Sequence, residues 1–231
     1  MTTRVLPNPD LFASCPLDGK VLAHYAGTFD AVYVSFNPFI KPVSIDIADF
    51  KTGAWPTPEA IASNCKPVSW SEVMQLADLP SLAAVDLGLR TQIHGLRKDL
   101  EQPDHAAAIG TLLEAQGILP PTEGTFPELL YDKVLQAIRA LGYEWLWVGD
   151  EFDTERKLHW IDDLKNEIDR VTLGRLNLFT PDKQLLWTTH WDSHFSFLCS
   201  SHEKLVSIQS ATELEGFFCS PSTEVYWSVN S

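Results

Sequence analysis

The residues whose types and spacing could do chemistry lie in His190-Trp191-Asp192-Ser193-His194. Side chains alternate in direction along an extended chain, so there His190, Asp192 and His194 would share one face and Trp187, Trp191 and Phe195 the other. Two imidazoles and a carboxylate are reasonable ligands for zinc or iron, and a metal-dependent hydrolase centred on them is one reading. The same residues also read as the tip of a hairpin, because Asp192-Ser193 is a turn-like pair, and in a tip the three side chains diverge. Spacing fixes no fourth ligand, although His159 and His202 are available. A solvated strand face or turn is the plainer reading. No cofactor is expected, with a divalent metal at these three residues as the conditional exception.

A second chemical-looking stretch is acidic. Asp150, Glu151, Asp153 and Glu155 follow the short aromatic segment Tyr143 to Val148. They could offer oxygen to a hard cation, but the alternating loop and distal glutamate of an EF-hand are missing. They read instead as the first turn of an amphipathic helix whose apolar face is Leu158, Ile161, Leu164 and Ile168. Acids in that position face the positive end of the helix dipole. With Asp162 and Asp163 they make a surface that a basic protein partner could use. From Glu144 to Asp169 there are nine acids against three bases, a net of −6 within a chain of net −14.

Other signatures are weak or missing. Cys199 is near His202 in sequence, but it sits in an apolar stretch where thiols are usually inert. The sequence has no G-x-S-x-G elbow, P-loop, G-x-G-x-x-G or H-E-x-x-H. Most of the tryptophans are expected in the core, with Trp145 and Trp147 on one strand face. Trp55 and Trp70 lie near helix starts, where partly exposed aromatics can anchor a partner, although core packing is the plainer reading for them too.

Composition bounds the reading. The 231 residues are 45% hydrophobic, enough for a sizeable core in one domain over 1–231, with a subdivision conceivable near 118–125. The excess of 31 acids over 17 bases argues against nucleic acid and against an anionic membrane surface. A basic protein partner is permitted. The start MTTRVLPNPDLFASC lacks an apolar h-region behind a basic n-region, and no apolar run approaches the roughly 20 residues of a membrane helix. The four scattered cysteines suit a reducing compartment, so the cytoplasm is the expected location.

The elements that must position these residues follow from periodicity and caps. Ala31 to Phe36 reads as a strand ended by Asn37-Pro38, and 39–55 as holding a second, edge-like strand. Thr57-Pro58-Glu59 starts a short helix, and the capping box Ser69 to Glu72 starts another that runs to about Ala77. Ser81 caps a helix with the stripe Leu82, Val85, Leu89, Ile93, Leu96 and Leu100. A helix from Asp104 ends at Gly117. A capping box at Thr125 to Glu128 opens a helix closed by Gly142. The second half is β-rich: Leu176 to Thr180 and Leu185 to His190 flank a turn at Pro181 to Gln184, and His194 to Ser200 follows. A capping box at Ser200 to Glu203 precedes a short helix, and Gly216 to Cys219 and Glu224 to Val229 read as final strands. The expected class is α+β: a mixed, largely antiparallel sheet with helices packed on it.

Five phrases, VYVSFNPFIKP (32–42), PVSWSEV (67–73), DLGLRTQIHGLRKDL (86–100), VGDEFDTERKL (148–158) and LEGFFCS (214–220), resemble a bacterial family of uncharacterised cytoplasmic proteins, the DUF2711 domain of unknown function. The resemblance implies a single-domain bacterial protein and transfers no catalytic residue. The leading expectation is an acidic, non-enzymatic binding protein that captures a basic protein, with a toxin-neutralising (immunity) protein as its most concrete form. The alternative is the metal-dependent hydrolase at His190, Asp192 and His194.

Overall fold

The computed structural model describes residue 8 and residues 10–51, 55–165, 176–191 and 193–226. Alternation along two strands organises the molecule. In β1 (Ala31–Phe36) Val32, Val34 and Phe36 point one way and Tyr33 the other; in β8 (Phe195–Ser200) Phe195, Phe197 and Cys199 oppose Leu198. All these side chains are buried, so both faces of the sheet must be covered. On the first face lie α1 (Val21–His24), α3 (Trp70–Leu76), α4 (Leu82–Gln92) and α5 (Pro103–Gln116), which contribute Tyr25, Trp70, Val85, Leu89 and Ile109 to one core. On the second lie α6 (Tyr131–Ala140), α7 (Ile161–Leu164) and α8 (His202–Thr212), which contribute Val134, Ile138, Leu164 and Ile208 to another.

The remaining strands are β4 (Trp145–Asp150), β5 (Arg156–Trp160), β6 (Leu176–Phe179), β7 (Leu186–Thr189) and β9 (Gly216–Phe218). The seven-stranded sheet has the order β5-β4-β6-β7-β8-β1-β9, and every pairing in it is antiparallel. A separate antiparallel pair, β2 (Phe39–Pro42) with β3 (Cys65–Val68), brackets the 3-10 turn Ile47–Phe50 and α2 (Pro58–Asn64), beside a small third core of Ile40, Phe50, Ile61 and Leu119. The α+β class is therefore observed, with helices on both sides of the sheet.

Local signals placed several ends correctly. Thr57, Ser69 and Ser81 each accept the N–H three residues on and cap α2, α3 and α4. Gly117, at φ 57°, closes α5. The turn at 181–184 joins β6 to β7, with Thr180 Oγ1 accepting from Leu185 and Gln184.

Four expectations are corrected. The helix expected from Asp150 is a β-hairpin: Trp145 pairs with Trp160 and Trp147 with Leu158, and only Ile161 to Leu164 turn helical. The three-residue spacing of Leu158, Ile161 and Leu164 imitates a helix, but Leu158 belongs to the strand, and Ile168 lies outside the described residues. The long stripe from Ser81 stops at Gln92, because His94 adopts φ 57° and the Gly95 N–H turns back to the Arg90 carbonyl. The capping box at Thr125 does not form; the Pro127 carbonyl accepts from Leu130 and Tyr131, and α6 starts at Tyr131. Ser201, one residue after the expected cap, caps α8, which extends to Thr212. Residues 166–175, where an expected helix end falls, and 227–231, the second half of the expected last strand, lie outside the described residues; of the first half, Glu224 makes an isolated bridge to Lys20 and Val225 and Tyr226 are in a turn.

Candidate functional site

Thr189 pairs with Ser196, so residues 190–194 are the connection between β7 and β8 and not a continuous strand. His190, Trp191, Ser193 and His194 are the described residues of that connection. His190 is 1% exposed; its Nδ1 lies 3.1 Å from Ser193 Oγ and its Nε2 3.3 Å from the Leu17 carbonyl. Asp192 lies outside the described residues. Among the described residues no group of three or more His, Cys, Asp or Glu side chains is placed to hold a metal. His159 is on β5, at the far edge of the sheet, and His202 stacks on Phe218 at 4.5 Å.

Behind the tip is a feature that apolar periodicity concealed. Asp86 and Arg90, one turn apart on α4, are both completely buried, and Arg90 Nε donates to both carboxylate oxygens at 3.1 and 3.0 Å. Arg90 Nη2 donates to Ser193 Oγ at 3.3 Å, and the guanidinium lies 4.7 Å from the Tyr226 ring and 5.6 Å from that of Phe195. The legible signal was a D-x-x-x-R spacing one position along from Val85 and Leu89, a place where solvated charges are not expected. α4 can lie close to α5 because Gly88 is there: a Cβ at that position would be 2.6 Å from Ile109 Cδ1.

The chain from 120 to 125 folds over the same tip. Asn37, directly after β1, donates through Nδ2 to the carbonyls of Thr122 and Thr125, while its own N–H donates to the His194 carbonyl. Gly124, at φ +66°, donates its N–H to the Ser193 carbonyl, and a Cβ there would be 2.8 Å from the Trp191 carbonyl oxygen. Between this loop and the end of α4 is a cleft of about 300 Å³ bounded by Trp55, Leu89, Ile93, Pro121 and His194. His194 is 3% exposed, and neither ring nitrogen makes a hydrogen bond of normal geometry. Burial lowers its pKa to about 4; Asp86 and the nearby Thr122 and Pro121 backbone oppose the shift, and Arg90 reinforces it. The imidazole is therefore neutral at physiological pH, with one donor and one acceptor.

The six acids differ in how far their charge is already engaged. Asp150 accepts from the N–H groups of Phe152, Thr154 and Glu155 and from the Thr154 hydroxyl. Partial burial raises its pKa, but these hydrogen bonds outweigh that and hold it below the ordinary carboxylate value. Asp153 pairs with Arg156 and accepts the Asp10 N–H, and Asp162 pairs with Arg139 and Lys165. Glu151 is partly buried, whereas Glu155 and Asp163 are exposed. Beside them the paired residues Trp145, Trp160, Trp147 and Leu158 share one face of the hairpin. Trp145 is 42% exposed, Leu158 38% and, at the tip, Phe152 59%. Trp145 was expected in the core, and its place near the open edge of the sheet leaves it in solvent.

Cys199 is fully buried in β8, which pushes its thiol well above the ordinary range, and the His202 ring is engaged with Phe218. No helix among the described residues is long and apolar enough to cross a membrane. The family model described as a protein of unknown function (DUF2711) matches residues 18–229. No curated protein and no solved structure matches the chain.

Proposed function

The chain belongs to the DUF2711 family of proteins of unknown function, and from that premise we propose that it is a non-enzymatic binding protein that captures a basic protein on its β4–β5 hairpin. An immunity-type role, with a basic toxin as partner, is the most concrete form of this reading. The observation that carries it is the exposed set Trp145, Leu158 and Phe152 flanked by Glu155 and Asp163. Aromatic side chains that lose water on contact dominate interface energies. Acids around them would complement a basic partner and speed encounter, and the net charge of −14 acts in the same direction.

The test is retention from the soluble extract of the source organism on immobilised protein, at low and high salt, compared with a Trp145→Ala/Phe152→Ala variant. The expected outcome is a basic protein held at low salt, released at high salt, and bound roughly tenfold to a hundredfold more weakly by the variant. Recovery of no basic protein, or equal retention by the variant, refutes the proposal.

A metal-dependent hydrolase at His190, Asp192 and His194 is the second reading. What favours it is that the β7–β8 connection carries both His190 and His194, with neither ring nitrogen of His194 in a hydrogen bond of normal geometry. Elemental analysis for Zn, Fe and Mn, with melting in chelator, decides it: no bound metal and unchanged melting removes this reading.

A further inference from the structure

We propose that the partner is held by strand addition: an extended segment, neutral at its centre and basic at both ends, pairs with the open edge of β5. This mode of binding rests on the β4–β5 hairpin being the capture site, and it names the form of partner taken there.

β5 is the last strand of the sheet and is paired on one side alone, with β4. The phase of that pairing follows from its two ends. The Asp150 N–H donates to the Glu155 carbonyl, and the Ile161 N–H donates to the Glu144 carbonyl. Hydrogen-bonded pairs recur at every second residue of an antiparallel ladder, so Lys157 and His159 also turn their backbone groups to β4. Arg156, Leu158 and Trp160 therefore turn their N–H and C=O groups outward, and among the described residues no backbone group pairs with them there. Such a row of unpaired groups is a template for another strand.

Side chains and charge select the occupant. Leu158, in the middle of the edge, and Trp145, on the same face, are exposed apolar groups that suit apolar residues in an added strand. Lys157 is exposed on the opposite face, which disfavours a basic residue beside it. The two outward acids lie beyond the ends of the row, Glu155 before Arg156 and Asp163 after Trp160. Bases at both ends of the added strand complement these acids, and its centre stays neutral. A second copy of the chain is a poor match, because β5 against β5 about a two-fold axis lays acidic end on acidic end.

The probe is the capped peptide Lys-Lys-Thr-Val-Thr-Val-Thr-Lys-Lys, titrated at low salt and followed by the amide resonances of β5. The expected result is saturable binding, with exchange of the Leu158 and Trp160 amides slowed about tenfold or more. The Lys157 amide, already in the β4 ladder, should change little. The same peptide with Glu in place of Lys should not bind. Methylation of the two valine amide nitrogens removes donors aimed at β5 and should weaken binding about tenfold, whereas methylation of the central threonine amide should not. Leu158→Pro removes one outward N–H and leaves the β4 ladder whole, as proline does on an edge strand. It should keep the wild-type urea midpoint and lose the peptide, while Leu158→Ala, which keeps that N–H, should bind within about threefold of wild type. Strand addition is overturned by absence of saturable binding, by unmoved Leu158 and Trp160 amides, by equal binding of the two methylated peptides, or by binding that survives Leu158→Pro. Free protein that sediments as a dimer with its Leu158 amide protected puts a second copy on the edge and overturns it as well. The methylated peptides decide the matter even if Leu158→Pro does not fold. A basic protein retained by Leu158→Pro but lost by Trp145→Ala/Phe152→Ala leaves partner capture standing and refutes strand addition, so the two failures are separable.

Discussion

At the scale of single residues, the two groups with the largest expected effects are Asp86 and His194. Asp86→Ala leaves the buried Arg90 guanidinium without its carboxylate, and the expected loss is about 3–5 kcal/mol in urea unfolding. A double Asp86→Leu/Arg90→Met variant removes both charges and should recover much of that loss, which distinguishes an uncompensated charge from a simple packing defect. His194 has a folded pKa of about 4 against an ordinary 6.5. Above pH 6.5 the ring is neutral in both states and contributes nothing to pH dependence. As pH falls towards 4 the unfolded chain takes up a proton that the folded chain refuses, and stability falls by about 3 kcal/mol. Glu128 acts in the opposite sense: burial raises its pKa, so the stability it contributes is present at low pH and lost as pH rises through the folded value. The difference between wild type and His194→Phe, measured by urea unfolding across the acid range, isolates the histidine. The stability of wild type relative to His194→Phe should fall as pH falls from 6.5 towards 4, and a constant difference would show that the ring is not held neutral.

At the scale of elements, local signals with local causes were legible. The N-caps at Thr57, Ser69 and Ser81 and the left-handed Gly117 depend on the nearest turn alone. The β4–β5 hairpin was not legible, because Leu158, Ile161 and Leu164 fit a helical spacing. Cross-strand pairing of Trp145 with Trp160 and of Trp147 with Leu158 overrides that spacing. Asp150→Ala tests the hairpin: it removes the acceptor of the three turn N–H groups and should cost about 1–2 kcal/mol, with amide exchange rising first at 151–155. Gly124→Ala tests the loop over the tip. The added Cβ meets the Trp191 carbonyl and the residue must hold φ +66°. The expected result is a loss of roughly 1–3 kcal/mol with the largest chemical-shift changes at Ser193 and His194.

At the scale of the whole molecule, surface and core should separate experimentally. Trp145→Ala/Phe152→Ala alters side chains that are largely in solvent, so the urea midpoint should move by less than about 1 kcal/mol while partner retention falls. A large stability loss would reassign those aromatics to structure. The sheet also explains why the acids of the hairpin make a thinner surface than their clustering in sequence suggests. Asp150 is spent on its own turn, Asp153 and Asp162 on neighbouring cations, and only Glu155 and Asp163 remain fully outward.

The sequence alone determined the α+β class, most strand positions, the helix caps at Thr57, Ser69 and Ser81 and the acidic charge, because each depends on composition or on residues a few positions apart. Only the tertiary structure decided that Asp86, Arg90, Ser193 and His194 meet, and that Trp145 stays in solvent. The ion pair is joined to the hairpin tip across a separation of 103 positions, a distance over which no periodicity carries information. Burial on both faces of one sheet brings those segments together, and what each side chain meets there depends on the order of the strands.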